Sequence, residues 1–118
     1  MKILIVDDEK LGRDSLQTVL SVFDYDVKTA ANGPEAITIA DSFHPDIAVI
    51  DWMLGHHLDG INVADILKTS LPSLQIVIIS GQADVSKQIT ADTPYHFLMK
   101  PFQLPQLLAL FEEVSKQA

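Results

Sequence analysis

The sequence predicts a doubly wound α/β fold of the (βα)5 type, in which a five-stranded parallel sheet in the order 2-1-3-4-5 carries helices on both faces. Three observations predict this fold. Short runs of consecutive, mostly β-branched apolar residues recur along the chain, as in strands buried on both faces of a parallel sheet. Stretches with apolar residues at helical spacing separate these runs. Polar residues follow four of the strands directly, at the edge where such a sheet places its ligand site.

The strands are predicted from apolar runs bounded by polar or turn-forming residues. Five runs follow one another in the chain: residues 3–6, 25–29, 47–50, 76–79 and 96–99. The second run is weaker, because Val27 alternates with polar neighbours, and the fifth is short and stops before Lys100 and Pro101. We therefore expect the second and fifth strands at the edges of the sheet.

Helices are predicted in the intervals between these strands. Apolar residues recur at one-turn intervals in residues 11–23, 36–40, 61–67 and 104–114. The segment Asn32-Gly33-Pro34 is typical of a turn that opens a helix. A fifth helix is expected within residues 83–93, where only Val85 and Ile89 are clear apolar anchors. This helix should be the least stable of the five.

Composition and charge exclude several classes of protein. The 118 residues are 47% apolar, which fits one domain over residues 1–118. Sixteen acidic and eight basic residues give a net charge of −8 without a basic cluster, so direct nucleic-acid binding is not expected. The absence of cysteine excludes disulfides and thiolate metal sites. No apolar run is long enough for a membrane span or a signal peptide, so a cytoplasmic location is the default expectation.

Charged and hydroxyl side chains end four of the predicted strands: Asp7 and Asp8 the first, Asp51 the third, Ser80 the fourth and Lys100 the fifth. Singly, each has a structural explanation; Asp8, for example, could cap the next helix. Together they should meet at one edge of the sheet. Crowded carboxylates repel one another and favour a hard divalent cation, with Mg²⁺ the expected one. Beside it, Asp51 could act as a nucleophile and form an aspartyl phosphate.

The pattern Asp-Asp, Asp, Ser-Gly, aromatic and Lys-Pro resembles the response-regulator receiver domains of two-component signal transduction, over essentially the whole chain. The resemblance implies a flavodoxin-like fold with Asp51 as the phosphoacceptor. It also implies that Asp7 and Asp8 help to hold Mg²⁺, with Asp8 as a direct ligand. The backbone carbonyl of Met53 would be a further ligand.

The resemblance implies a switch as well. Ser80 would be the switch hydroxyl, Phe97 the switch aromatic and Lys100 the ion-pairing lysine. A cis peptide bond would join Lys100 to Pro101. For Phe97 the alternative of a buried ring that never moves stays open.

A histidine kinase or a histidine phosphotransfer protein would be the implied phosphodonor. The readout surface would be the face formed by residues 83–118, which could meet an effector domain or a second copy of the chain. The resemblance implies no enzyme activity beyond the protein's own phosphotransfer and slow autodephosphorylation. Met53 supports slow hydrolysis, because an apolar side chain at a position that tunes this reaction in the family cannot orient an attacking water.

The sequence departs from the family pattern after Asp51. A glycine expected eight residues later stands nine later, at Gly60, and Gly55 replaces the expected proline. The loop 52–60 should therefore be one residue longer and less stiff. His56 and His57 lie in this loop, where we expect exposed side chains rather than a metal site.

Three other functions compete with this interpretation. A flavin- or nucleotide-binding module of similar topology would need a phosphate-binding loop after the first strand, where this chain has Asp7, Asp8 and Glu9. A Mg²⁺-dependent phosphatase with an aspartate nucleophile generally needs a second acid at the position of Met53. A receiver-like domain that takes no phosphoryl group and acts only as an interaction module is the third.

Overall fold

Five parallel strands form one sheet in the order β2-β1-β3-β4-β5, as the sequence predicts. The computed structural model describes residues 1–52, 54, 60–81 and 95–115. The strands are β1 (Lys2–Val6), β2 (Asp26–Ala30), β3 (Ile47–Asp51), β4 (Gln75–Ser80) and β5 (His96–Met99). Hydrogen-bonded neighbours run parallel throughout, so the carboxyl ends of all five strands point to the same edge.

Four helices connect or follow these strands in the described residues: α1 (Lys10–Val22), α2 (Gly33–Phe43), α3 (Gly60–Ser70) and α4 (Leu104–Ser115). The expected turn before α2 is confirmed. The side chain of Asn32 accepts a hydrogen bond of 2.8 Å from the Glu35 N–H, and Pro34 stands in the first turn. The helix expected within residues 83–93 lies outside the described residues.

The core has two layers, one on each face of the sheet. In β1, Leu4 and Val6 pack with residues of α2 and α3, whereas Ile3 and Ile5 pack with residues of α1 and α4. The strands β3 and β4 divide their side chains in the same way. Burial on both faces explains why the central strands are continuous apolar runs.

The two edge strands are less buried than the central ones. In β1 the four residues after Lys2 are buried. In β2 exposed and half-buried residues alternate before the buried Ala30, and no residue of β5 is fully buried. This confirms the positions predicted from their weaker apolar patterns.

Two further expectations concern the backbone and the surface. The peptide bond between Lys100 and Pro101 is cis, as expected. Among the helices of the described residues, none has the length and apolar character that a membrane crossing requires.

Candidate functional site

Three carboxylates meet at the carboxyl edge of the sheet. Strands β1 and β3 are neighbours, and Val6 pairs with Ile50. The next residue after each of these two is an aspartate, so Asp7 and Asp51 lie side by side at the carboxyl ends of the two strands. One carboxylate oxygen of each of Asp7, Asp8 and Asp51 lies within 4.8 Å of the others. Asp7 and Asp51 are half-buried and Asp8 is exposed. The cluster is therefore open to solvent on the Asp8 side.

Lys100 supplies the positive charge of this edge. Its Nζ lies 2.9 Å from Oδ2 of Asp51, and its backbone N–H donates to the carbonyl of Ser80 over 2.8 Å. The Asp51 side chain keeps only 13% of its surface exposed, against 41% for Lys100. The Asp51 carboxylate is thus largely shielded from water, with an ammonium group on one side and two carboxylates on the other.

The electrostatics of the site follow from this crowding. Burial raises the pKa of Asp7 above its ordinary value; the Glu9 N–H opposes this rise, and the charges of Asp51 and Asp8 add to it. Partial burial works to lower the pKa of Lys100, but its hydrogen bond to Asp51 and the charge of that carboxylate outweigh burial, so the pKa is raised. Lys100 therefore stays protonated, and Asp7 carries its negative charge at a disadvantage.

The turn from β1 to α1 holds Asp7 at two points. Its Oδ1 accepts the Glu9 N–H over 2.9 Å, and its backbone carbonyl accepts a 2.9 Å hydrogen bond from Nη1 of Arg13. The cap of α1 falls on Glu9, whose side chain makes no capping bond. The capping alternative for Asp8 is therefore wrong.

The turn from β3 to α3 is held by backbone contacts. The Trp52 N–H donates to the carbonyl of Ile79, and the Gly60 N–H donates to the carbonyl of Trp52, each over 2.8 Å. A Cβ atom on Gly60 would lie 2.5 Å from the carbonyl oxygen of Asp51. Because real Cβ atoms do not approach that closely, α3 can begin against the end of β3 only with glycine at this position.

Part of the predicted site falls in the same turn. Met53, whose backbone carbonyl is the expected further metal ligand, lies outside the described residues, as do His56 and His57. The one-residue extension of the loop is present in the sequence between Asp51 and Gly60.

The two expected switch residues lie where their strands predict. Ser80 ends β4 and is 2% exposed, one residue beyond Ile79, which pairs with Asp51. Phe97 pairs with Ile78 in β5, is half-buried and packs against the core layer beneath α2 and α3. A half-buried ring leaves both interpretations of Phe97 open, the moving switch and the fixed core residue.

The donor set fits a hard divalent cation. The residues that could hold Mg²⁺ are Asp7, Asp8 and Asp51, all with carboxylate oxygens, the ligand type that Mg²⁺ prefers. Burial, and after it the charges of Asp51 and Asp8, raise the pKa of Asp7, and a cation would offset both effects.

The sequence alone did not identify two residues that lie beside the site, Gly12 and Arg13. Arg13 reaches the carbonyl of Asp7, and a Cβ atom on Gly12 would lie 3.1 Å from Oδ2 of Asp7. A glycine inside a predicted helix could have drawn attention to this position, because glycine lowers helix stability and a close neighbour is one reason for its presence. Arg13 gives a signal as the only arginine of the chain, one helical turn and a half from the acidic pair.

Comparisons with proteins of known sequence give a consistent result. The family model described as "Response regulator receiver domain" matches residues 3–112. The chain is 36% identical to the "Probable transcriptional regulator ycf27" of Porphyridium aerugineum, over 98% of this chain and 48% of the relative. It is 37% identical to "Response regulator MprA" of Mycobacterium avium, over 92% of this chain and 48% of the relative. The chain thus spans about half the length of the curated relatives it matches.

Solved structures agree with the sequence comparisons. NtrX from Brucella abortus, solved in complex with ATP, superposes with a TM-score of 0.88 and 30% identity over 98% of this chain and 27% of NtrX. The chemotaxis protein CheY4 of Vibrio cholerae has the same fold, with a TM-score of 0.84 and 24% identity over 96% of this chain and 97% of CheY4. Because the family match covers nearly the whole sequence, the chain belongs to the response regulator receiver domain family.

Proposed function

We propose that this chain is a phosphorelay switch that accepts a phosphoryl group on Asp51 while Mg²⁺ is held by Asp7 and Asp8. The observation that carries the proposal is the position of the Asp51 carboxylate, 2.9 Å from the Lys100 ammonium and within 4.8 Å of two further carboxylates. An anionic carboxylate can attack an anionic phosphoryl group only where positive charge compensates both. Lys100 and a cation on the acidic cluster supply that charge.

In the proposed reaction, one carboxylate oxygen of Asp51 forms a bond to the phosphorus atom of the donor. The bond between that phosphorus and the donor's histidine nitrogen breaks, and the nitrogen keeps the electron pair. Lys100 can donate to a phosphoryl oxygen from its present position beside Asp51. A bound Mg²⁺ would neutralise charge on the same phosphoryl oxygens.

This chain offers an apolar surface beside the site to its phosphodonor. The donor would be a histidine kinase or a histidine phosphotransfer protein. Helix α1 carries Leu11 in its first turn, four residues after Asp7, and this side chain is 79% exposed. A cleft of about 370 Å³ continues from this helix to the site, with Asp7, Lys100 and Phe102 in its lining. A large exposed apolar side chain next to a charged centre is typical of a surface that meets a protein partner.

The readout in this proposal begins at Ser80. A phosphoryl group on Asp51 adds roughly −1.5 to −2 charge and three acceptor oxygens, which the Ser80 hydroxyl can approach. Space left by Ser80 would admit the ring of Phe97, which has no hydroxyl, so packing alone would favour its inward position. The face formed by residues 83–118 would then meet an effector domain or a second copy of the chain.

We further propose that the protein is not an enzyme beyond its own phosphotransfer and slow autodephosphorylation. Met53 supports slow hydrolysis, because its apolar side chain cannot orient a water toward the phosphoryl group. Following the phosphorylated chain by intact mass over time measures its lifetime, and loss of the phosphoryl group within seconds contradicts this part of the proposal.

The wider setting stays a matter of prediction. One relative is named a probable transcriptional regulator, and the chain covers 48% of that protein. We therefore assign no transcriptional output to these 118 residues. For the 118 residues themselves we propose no direct nucleic-acid contact, since their net charge is −8. The cytoplasmic location and the single domain over residues 1–118 likewise remain predictions.

The proposal is tested with a small phosphodonor. Incubation with acetyl phosphate and Mg²⁺ should add about 80 Da to the intact mass, as expected for one phosphoryl group. Asp51→Asn should abolish the added mass, and so should chelation of Mg²⁺. Asp46→Asn is the matched control, because Asp46 stands at the opposite end of β3 and should leave phosphorylation unchanged. An unmodified wild-type chain under these conditions would favour the interaction module instead.

A further inference from the structure

Arg13 stands at the edge of the candidate site but makes no contact with a phosphoryl group in the proposed reaction. Its guanidinium donates from Nη1 to the backbone carbonyl of Asp7 over 2.9 Å, in a half-buried position on α1. This is the only arginine of the chain. A charged donor makes a stronger hydrogen bond to a carbonyl than a neutral one does, and the planar guanidinium holds it in a fixed direction.

The carbonyl that Arg13 holds belongs to the peptide bond between Asp7 and Asp8. A peptide unit is planar from one Cα atom to the next, so a fixed carbonyl oxygen orients a plane that contains the Cα atoms of both aspartates. A second contact acts on the same turn, because Oδ1 of Asp7 accepts the Glu9 N–H over 2.9 Å. The two contacts together restrict the backbone rotations of this turn, and these rotations set the direction in which the side chains of Asp7 and Asp8 leave the chain.

We propose that Arg13 is a positioning residue for the metal site: by holding the carbonyl of Asp7, it keeps the carboxylates of Asp7 and Asp8 turned toward Asp51. This inference rests on the proposed Mg²⁺ site and adds a residue that acts on it through the backbone. Arg13 touches neither the cation nor the phosphoryl group in this role.

An electrostatic role and a positioning role of Arg13 predict opposite changes in Mg²⁺ affinity when Arg13 is replaced, so the two roles can be told apart. A positive side chain near three carboxylates disfavours a cation, so an electrostatic role alone predicts tighter Mg²⁺ binding when the charge is removed. A positioning role predicts weaker binding, because the two aspartates lose their fixed orientation. Partners that orient metal ligands typically contribute about 10- to 100-fold in metal affinity.

Mg²⁺ affinity can be measured without phosphorylation by titrating MgCl₂ and following the fluorescence of Trp52. Trp52 is the only tryptophan and directly follows Asp51. Arg13→Met, which keeps an apolar stem but has neither charge nor donor, should bind Mg²⁺ about tenfold more weakly than wild type. Arg13→Lys, which keeps a charged donor, should recover most of this loss. Denaturant unfolding without Mg²⁺ checks that both variants fold, and Arg13→Gln replaces Arg13→Met if the latter does not.

Lys10→Met is the matched control. Lys10 lies on the same helix and pairs with Asp14 over 2.7 Å, so the change removes one positive charge without touching Asp7. Its Mg²⁺ affinity should equal or slightly exceed that of wild type. Arg13→Met behaving like Lys10→Met, or losing stability with its Mg²⁺ affinity intact, would overturn the positioning role alone. A wild-type chain that shows no Mg²⁺ binding would overturn the proposed metal site together with this inference.

Discussion

The two ends of the sheet use charged residues in opposite ways. At the amino end, Asp46 accepts the Lys2 N–H through its side chain over 2.8 Å and donates its own N–H to the Lys2 carbonyl over 2.8 Å. The Lys2 ammonium donates to the carbonyl of Phe43 over 3.3 Å and lies over its ring. At the carboxyl end, by contrast, Asp7, Asp8 and Asp51 stand within 4.8 Å of one another with Lys100 beside them.

This difference separates residues that stabilise the fold from residues that prepare a site. Charges at the amino end face donors and acceptors of opposite character, which lowers the free energy of the folded chain. At the carboxyl end Lys100 pairs with Asp51, but the three carboxylates also face one another, and this repulsion raises the free energy of the folded chain. Backbone contacts hold much of the carboxyl end together, as the bonds of Trp52 and Gly60 illustrate. The fold thus holds three carboxylates together whose repulsion the proposed Mg²⁺ would relieve.

The largest expected effect tests the close backbone contact at the carboxyl end. Gly60→Ala places a Cβ atom 2.5 Å from the Asp51 carbonyl oxygen and 3.0 Å from the Cα atom of Trp52, so α3 or the end of β3 must move. We expect a loss of about 2–3 kcal/mol in the free energy of unfolding, measured in urea.

Gly81→Ala is the control for this change. Among the residues that the structure describes, a Cβ atom on Gly81 would meet only Lys100 Cβ, at an ordinary 3.9 Å. This variant should stay within about 0.5 kcal/mol of wild type. Equal stability of both variants would mean that close approach at Gly60 does not support the carboxyl end.

The next effect concerns the repulsion among the carboxylates. Asp7→Asn keeps the Oδ1 atom that accepts the Glu9 N–H but removes one negative charge. In the absence of Mg²⁺ we expect this variant to be more stable than wild type by a few tenths of a kcal/mol, because the charge is only partly shielded from solvent. Mg²⁺ at ten times its dissociation constant should stabilise wild type by about 1.4 kcal/mol and Asp7→Asn by much less.

The pH dependence of the same pair gives an independent measurement. Burial raises the pKa of Asp7 above the ordinary 3.8, so the folded chain binds this proton more tightly than the unfolded chain does. The associated stability is present below pH 3.8 and is lost as the pH rises through the folded pKa. Without Mg²⁺, the advantage of Asp7→Asn should therefore be absent below this pH and grow above it. A constant difference across the titration would contradict the raised pKa of Asp7.

The sequence was sufficient for most of the fold because the physics of each strand is local. Burial on both faces requires a continuous apolar run, and such runs identify β1, β3 and β4 directly. The site residues were accessible for a related reason. A carboxylate or ammonium that directly follows a strand lies at the carboxyl end of that strand. In a parallel sheet the carboxyl ends of all strands lie on the same side, so these groups come together.

Other features depend on contacts that no sequence pattern encodes. The partner of Arg13 is a backbone carbonyl, which every residue possesses, so its identity appears only in three dimensions. The second strand is predicted at residues 25–29, whereas β2 ends one residue later, at Ala30. The reason is that Ala30 pairs with Val6 of β1, a contact that the side-chain pattern does not show. The sequence shows the irregular spacing of the glycine nine residues after Asp51, whereas only the structure shows how closely Gly60 approaches the Asp51 carbonyl.

The amino end of the sheet supplies the next prediction. Asp46→Ala removes the acceptor of the Lys2 N–H and should lower the free energy of unfolding by about 1 kcal/mol, measured in urea. Asp46→Asn retains an acceptor oxygen and should lose less than half as much. Mg²⁺ should stabilise both variants as it does wild type. An Asp46→Ala protein as stable as wild type would remove the contrast between the two ends.

The last prediction asks whether a carboxylate that accepts a hydrogen bond also stabilises the fold away from both ends of the sheet. The Tyr95 hydroxyl donates to Asp65 on α3, and burial, followed by this hydrogen bond and the Asp65 charge, raises the pKa of Tyr95 above its ordinary value of 10.0. Tyr95→Phe should lower the free energy of unfolding by about 0.5 kcal/mol at pH 8. Because the folded pKa is the higher one, the contribution of Tyr95 is complete below pH 10.0 and is lost as the pH rises beyond it. Urea unfolding of both proteins at pH 8 and pH 10.5 should therefore show the difference shrinking, and a difference that grows with pH would assign the wrong sign to this pair.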